Sequence, residues 1–135
     1  MLVKQLSVFL ENTPGRLYSV TSVLAENDVK IRALMLADTA DFGVLRLIVD
    51  EPEKTLKILQ EKGYAAKITN AIAIEVCDSP FQQMQKILKL LSEQNINVEY
   101  MYAFSGETPG KALVVFRVDD LETAMEYLKR EKMTV

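Results

Sequence analysis

The residues best suited to chemistry lie in one stretch, Glu11-Asn12-Thr13-Pro14-Gly15-Arg16-Leu17, between an apolar strand and an amphipathic helix. Pro14 stiffens the turn. Gly15 removes a side chain where the helix begins, so a second backbone or a small ligand can approach. The first N–H groups of that helix lack partners within it and sit at the positive end of its dipole. A carboxylate suits that place. Asn12 can donate and accept hydrogen bonds, as recognition of a zwitterion requires. A plainer reading of the same residues stays open: Asn12 or Thr13 caps the helix and Gly15 only makes a tight corner.

Other chemistries are narrowed by what is missing. The chain has no His, which excludes Ser-His-Asp and Cys-His catalysis and the usual His-bearing zinc sites. It has one cysteine, Cys77, so no disulfide forms within the chain. Beside acidic Asp78 a reactive nucleophile is not expected, so Cys77 reads as a small half-buried apolar residue. Asp119, Asp120 and Glu122 resemble a metal cluster only superficially. Asp50, Glu51 and Glu53 repeat the pattern at another helix start, where acidic charge opposes the dipole. Thr108-Pro109-Gly110 lies between two strands and reads as a hairpin turn. No metal or cofactor is expected.

Sixteen Lys and Arg against nineteen Asp and Glu give a net charge of -3. That balance offers no footprint for nucleic acid or an anionic membrane, and no RNA-binding Lys-Gly-Phe-x-Phe string is present. No apolar run approaches the roughly 18 residues that span a bilayer. Met1 to Leu6 alternates apolar and polar residues, unlike a signal peptide. A cytoplasmic protein is expected.

The elements that position these residues come from periodicity. Leu6, Val8 and Leu10 fall two apart and predict a strand. Leu17, Val20, Thr21 and Leu24 predict a helix that ends at Asn27-Asp28. A strand over 29–36 should carry Val29, Ile31, Ala33 and Met35 on one face. Residues 42–50 form a further strand, Pro52 opens a helix that Gly63 stops, and 64–68 is a short strand. The order is β-α-β-β-α-β, and it then begins again. Ile72, Ile74 and Val76 repeat the first strand, and Met84, Ile87, Leu88 and Leu91 the first helix. The offset between copies grows from 66 to 67 to 69, with the largest insertion in the 105–111 hairpin. Met35, Met84, Met101 and Met125 fall at core spacings, and Tyr100 and Tyr102 suit an interface.

Two copies of a six-element unit predict two tandem domains, 1–69 and 70–135. The fold class is α+β: each domain is ferredoxin-like, with an antiparallel sheet and its helices on one face. The second copy stops where its last strand is barely begun, so its sheet should be incomplete at that edge or finished by a neighbour.

An apolar strand, then Glu-Asn-x-Pro-Gly-Arg-Leu, then an amphipathic helix before Asp28-Val29-Lys30-Ile31 resembles the ACT domain, and the resemblance covers nearly the whole chain as two copies. ACT domains bind amino acids, commonly where two such domains meet, and control enzymes of amino-acid metabolism. The resemblance thus implies an amino-acid-binding regulatory protein that is not itself an enzyme, homo-oligomeric, and acting through an enzyme of amino-acid metabolism. By position its ligand loop falls on Asn12, Thr13, Pro14, Gly15, Arg16 and Leu17, at the interface between the domains. The second copy departs from the pattern, with Phe81 where Gly15 stands. Asp78 there either caps its helix or reaches a ligand amine in the first site. Two alternatives stand: a module for oligomerisation or regulation without its own ligand, and an enzyme on a ferredoxin-like scaffold.

Overall fold

In a computed structural model the described residues are 2–38, 41–77 and 80–133. Their elements are β1 (Leu2–Glu11), α1 (Arg16–Glu26), β2 (Ile31–Asp38), β3 (Phe42–Val49), α2 (Pro52–Glu61), β4 (Ala65–Cys77), α3 (Pro80–Glu93), β5 (Val98–Ser105), β6 (Lys111–Val118) and α4 (Leu121–Arg130). They belong to two compact units, Lys4–Thr69 and Asn70–Val135 together with Met1–Val3.

The first unit orders its strands β2-β3-β1-β4. β1 pairs antiparallel with β3, Leu6 opposite Leu47 and Leu10 opposite Gly43. Period-two alternation aims Leu6, Val8 and Leu10 at the helices, where they join Val20 and Leu24 of α1 and Leu59 of α2. The other face of β1 carries polar groups: Arg46 Nη1 donates to Ser7 Oγ at 2.9 Å, and Gln5 Nε2 to Thr69 Oγ1 at 3.2 Å. Lys4 bridges to Glu53 in the first turn of α2. That hydrogen bond, with one from the backbone, holds the Glu53 carboxyl below its ordinary pKa.

The second unit orders β4-β6-β5. Ile72, Ile74 and Val76 do the work of Leu6, Val8 and Leu10, packing with Ile87, Leu91, Phe116 and Leu128. The first residues of β1 group with this unit rather than with the rest of their strand.

Several expectations need correction. Residues 64–68 and 72–76 are not separate strands: β4 runs unbroken for 13 residues, because no glycine or proline interrupts Ala65–Cys77. Ile31 and Ala33 do not share a face. A bulge between them sets Ile31 opposite Val49 and Ala33 opposite Ile48, so Leu34 and Leu36 align with Leu47 and Leu45 instead. Leu88 is exposed and Leu90 takes the buried place, while Met101 is 38% exposed. Cys77, at the end of β4, is exposed rather than half-buried. Gly106 and Gly110 close the hairpin expected at 105–111, with Gly106 N–H on Lys111 O at 2.8 Å.

Of the two acidic residues before α4, Asp120 caps the helix, whereas Asp119 holds the residue before β5. The Asp120 carboxylate accepts the Thr123 N–H at 3.1 Å, and Asp119 accepts the Asn97 N–H at 3.0 Å. Among the described residues no His, Cys, Asp and Glu group could hold a metal, and no helix is long and apolar enough to cross a membrane.

Leu59→Ala, at a site with no exposed surface, should cost about 2–5 kcal/mol in urea unfolding. The Thr123 bond lowers the Asp120 pKa, so its contribution is present above the ordinary carboxyl value and fades as pH falls through the lowered one. Asp120→Asn keeps an acceptor without the titration, and unfolding across an acid pH series should show a shallower loss.

Candidate functional site

The loop of interest belongs to the first unit and lies between β1 and α1. Asn12 N–H donates to Asp41 O at 3.2 Å, which ties the loop to the turn before β3. Thr13 N–H folds back on Glu11 O at 2.9 Å, and Arg16 N–H reaches Thr13 O at 3.4 Å. Gly15 is the N-cap of α1, with φ 87° and ψ -12° in the left-handed region. An L side chain is strained there, which gives Gly15 a backbone reason. A Cβ built on it meets nothing within 4 Å, so the space beside it is open.

No side chain caps α1, so neither Asn12 nor Thr13 fills the capping role left open by the sequence. Ser19 N–H takes Gly15 O at 2.9 Å. The N–H groups of Leu17 and Tyr18 then have no partner among the described residues and point out of the positive end of α1. Asn12, Thr13, Pro14 and Gly15 are all exposed. Leu17 is 38% and Tyr18 78% exposed, so an apolar side chain and an aromatic ring stand beside the free donors.

Arg16 behaves differently from its neighbours. Its guanidinium carbon lies 5.8 Å from the centroid of the Tyr64 ring, and its Nε is buried without a hydrogen bond. The Tyr64 hydroxyl is 2.6 Å from Ser19 Oγ. Arg16, Ser19 and Tyr64 thus brace the first turn of α1 against the approach to β4. Sequence reading missed Ser19 and Tyr64. Ser19 lies one turn after Gly15, and Tyr64 comes directly after Gly63 where the chain leaves α2, yet nothing in their spacing links them. Asp78 and the Phe81 side chain lie outside what is described.

Two polar clefts lie away from this loop. One of about 420 Å³ sits among Asn27, Lys30, Asp50 and Lys54, at the C-terminal end of α1 and the start of α2. A similar one of about 350 Å³ lies beside Asn95 in the second unit. Both adjoin the same left-handed helix stop, Asp28 at φ 54° and Asn95 at φ 57°. Recurrence in both copies marks them as a by-product of the fold.

Gly15→Ala tests the loop geometry. It meets no clash, so its cost is backbone strain of about 1–2 kcal/mol in chemical denaturation. Gly15→Asn should cost less, since Asn visits the left-handed region more readily.

Comparisons with known proteins identify the family and the fold. A family profile described as "ACT domain pair" matches residues 1–135. Among solved structures, protein BT0572 from Bacteroides thetaiotaomicron is 41% identical, with TM-score 0.88 over 98% of this chain and 90% of that one. The ligand-free regulatory subunit of aspartate kinase from Thermus thermophilus is 14% identical, with TM-score 0.63 over 94% and 91%. The corresponding subunit from Thermus flavus is 15% identical, with TM-score 0.60 over 96% and 94%. At those identities the two Thermus subunits share the fold. No curated protein matches the sequence. With the repeat, the two βα cores and the glycine loop all in place, the chain belongs to the ACT family as an ACT domain pair.

Proposed function

We propose that this ACT domain pair is a non-catalytic, cytoplasmic regulatory protein that binds a free amino acid at Asn12, Thr13, Pro14, Gly15, Arg16 and Leu17. The observation that carries the reading is the pair of free N–H groups, Leu17 and Tyr18, beside the open space over Gly15. They suit an α-carboxylate, and the exposed Asn12 suits the amine. Thr13 and Pro14 shape the turn, Leu17 offers apolar contact, and Arg16 positions the helix start by its hold on Tyr64. Two Thermus relatives of the same fold are named as regulatory subunits of aspartate kinase, which supports an output through a separate enzyme of amino-acid metabolism.

A second observation favours self-association. β2 ends the strand order of the first unit, with Leu34 39% and Leu36 46% exposed. An end strand of this kind is ready to pair. Antiparallel pairing of two copies about Met35 sets Arg32 against Asp38 and Leu34 against Leu36, so the strand complements itself.

Titration calorimetry against each free amino acid tests the first reading. One should bind, and at about 100 times its Kd it should stabilise the protein by about 2.7 kcal/mol. Asn12→Ala should weaken that binding about tenfold; silence across all the amino acids would sink the proposal. Sedimentation tests the second: the wild type should run as a dimer and Leu34→Lys as a monomer.

A further inference from the structure

The two helices of the first unit are unequally made. The middle of α1, Tyr18-Ser19-Val20-Thr21-Ser22-Val23, is drawn entirely from residues of weaker helix preference. Thr21 Oγ1 donates to Leu17 O at 2.8 Å and Ser22 Oγ to Tyr18 O at 2.7 Å, bonds by which a side chain competes with the helix backbone. Both ends carry the unfavourable charge: Arg16 stands at the positive end of the dipole and Glu26 at the negative end. No side chain caps the start. In α2, by contrast, Pro52 opens the helix and Glu53 meets its positive end. Leu56, Lys57, Leu59, Gln60 and Glu61 then all favour helix.

What α1 lacks in itself it receives from Tyr64. That ring packs against the core of the unit, and its N–H meets Leu59 O at 3.0 Å where α2 stops, so Tyr64 is itself fixed. Its hydroxyl lies 2.6 Å from Ser19 Oγ. Its face, 5.8 Å from the Arg16 guanidinium carbon, offsets a positive charge placed at a positive helix end. Two contacts from one ring thus hold the first turn, the turn that aims the Leu17 and Tyr18 N–H groups.

We propose that Tyr64 is a positioning residue that keeps a locally unstable α1 in order, so that α1 opens before the rest of its unit and the donors at its start are lost when it does. An α-carboxylate on those donors would supply the cap the sequence leaves out, turning occupancy into order along α1. That last step rests on the amino-acid reading of the loop; the opening of α1 does not.

Native-state hydrogen exchange on the whole chain tests the opening without a ligand. Amides of Val20 to Ala25 should exchange about tenfold faster than those of Leu56 to Gln60, and equal rates in the two helices would overturn the proposal. Tyr64→Phe keeps the ring under Arg16 and loses the hydroxyl; it should speed α1 about fivefold and leave α2 unchanged. Equal acceleration of both helices would make Tyr64 a general core residue and overturn it too. Glu26→Lys, at the far end of α1 from the loop, should slow α1 about threefold in the Tyr64→Phe background; no slowing would count against an intrinsically weak helix and overturn the proposal. Each free amino acid is then added in turn, and one that binds should slow α1 more than α2. A wild type that binds none but shows the contrast between helices keeps the brace and loses the site. A wild type that binds one without the contrast loses the brace.

Discussion

Everything rests on period-two alternation in β1 and β4. Two helices cover one face of a small antiparallel sheet, and a unit of this size buries too little apolar surface to tolerate a slip. Moving β1 by one residue would turn Leu6, Val8 and Leu10 away from α1 and α2 and bring in Gln5, Ser7 and Phe9. The polar bonds of Arg46 to Ser7 and Gln5 to Thr69 work against that slip, because in the shifted register both would be lost. Each buried leucine adds about 1.5–3 kcal/mol, so the register is fixed by a few side chains.

Much of this was legible in the residues. The repeat announced two units, and Pro52, Gly63 and Asp120 marked helix ends where the chain does turn. Two features were not legible. The β2 bulge came from pairing with β3, a relation between distant segments that alternation within 29–36 does not encode. The unbroken β4 was hidden because Asn70 and Ala71 are weak strand formers that read as a break between domains, while no glycine or proline interrupts the run.

The site was legible to a similar degree. The Pro-Gly corner and the helix start behind it were visible, and the left-handed φ of Gly15 gives them a physical basis. What spacing could not supply was the brace behind the loop. Tyr64 reaches Ser19 from beyond α2 in the chain, and Arg16, placed in the ligand loop by the family resemblance, turns onto that ring. A motif reports which residues are close in sequence; that Arg16 turns toward the scaffold depends on a residue beyond α2, Tyr64.

The bond from Asn12 N–H to Asp41 O is the least conspicuous contact in the loop. Asp41 lies in the turn between β2 and β3, and β2 carries the exposed leucines. If an amino acid settles on Asn12, its grip is felt at the turn of that hairpin by one hydrogen bond. Thermodynamic reciprocity then runs both ways: whatever engages β2 alters the affinity of the loop by the same factor that the loop's occupant alters the engagement. A single peptide N–H would make a nutrient level and an assembly state two readings of one equilibrium.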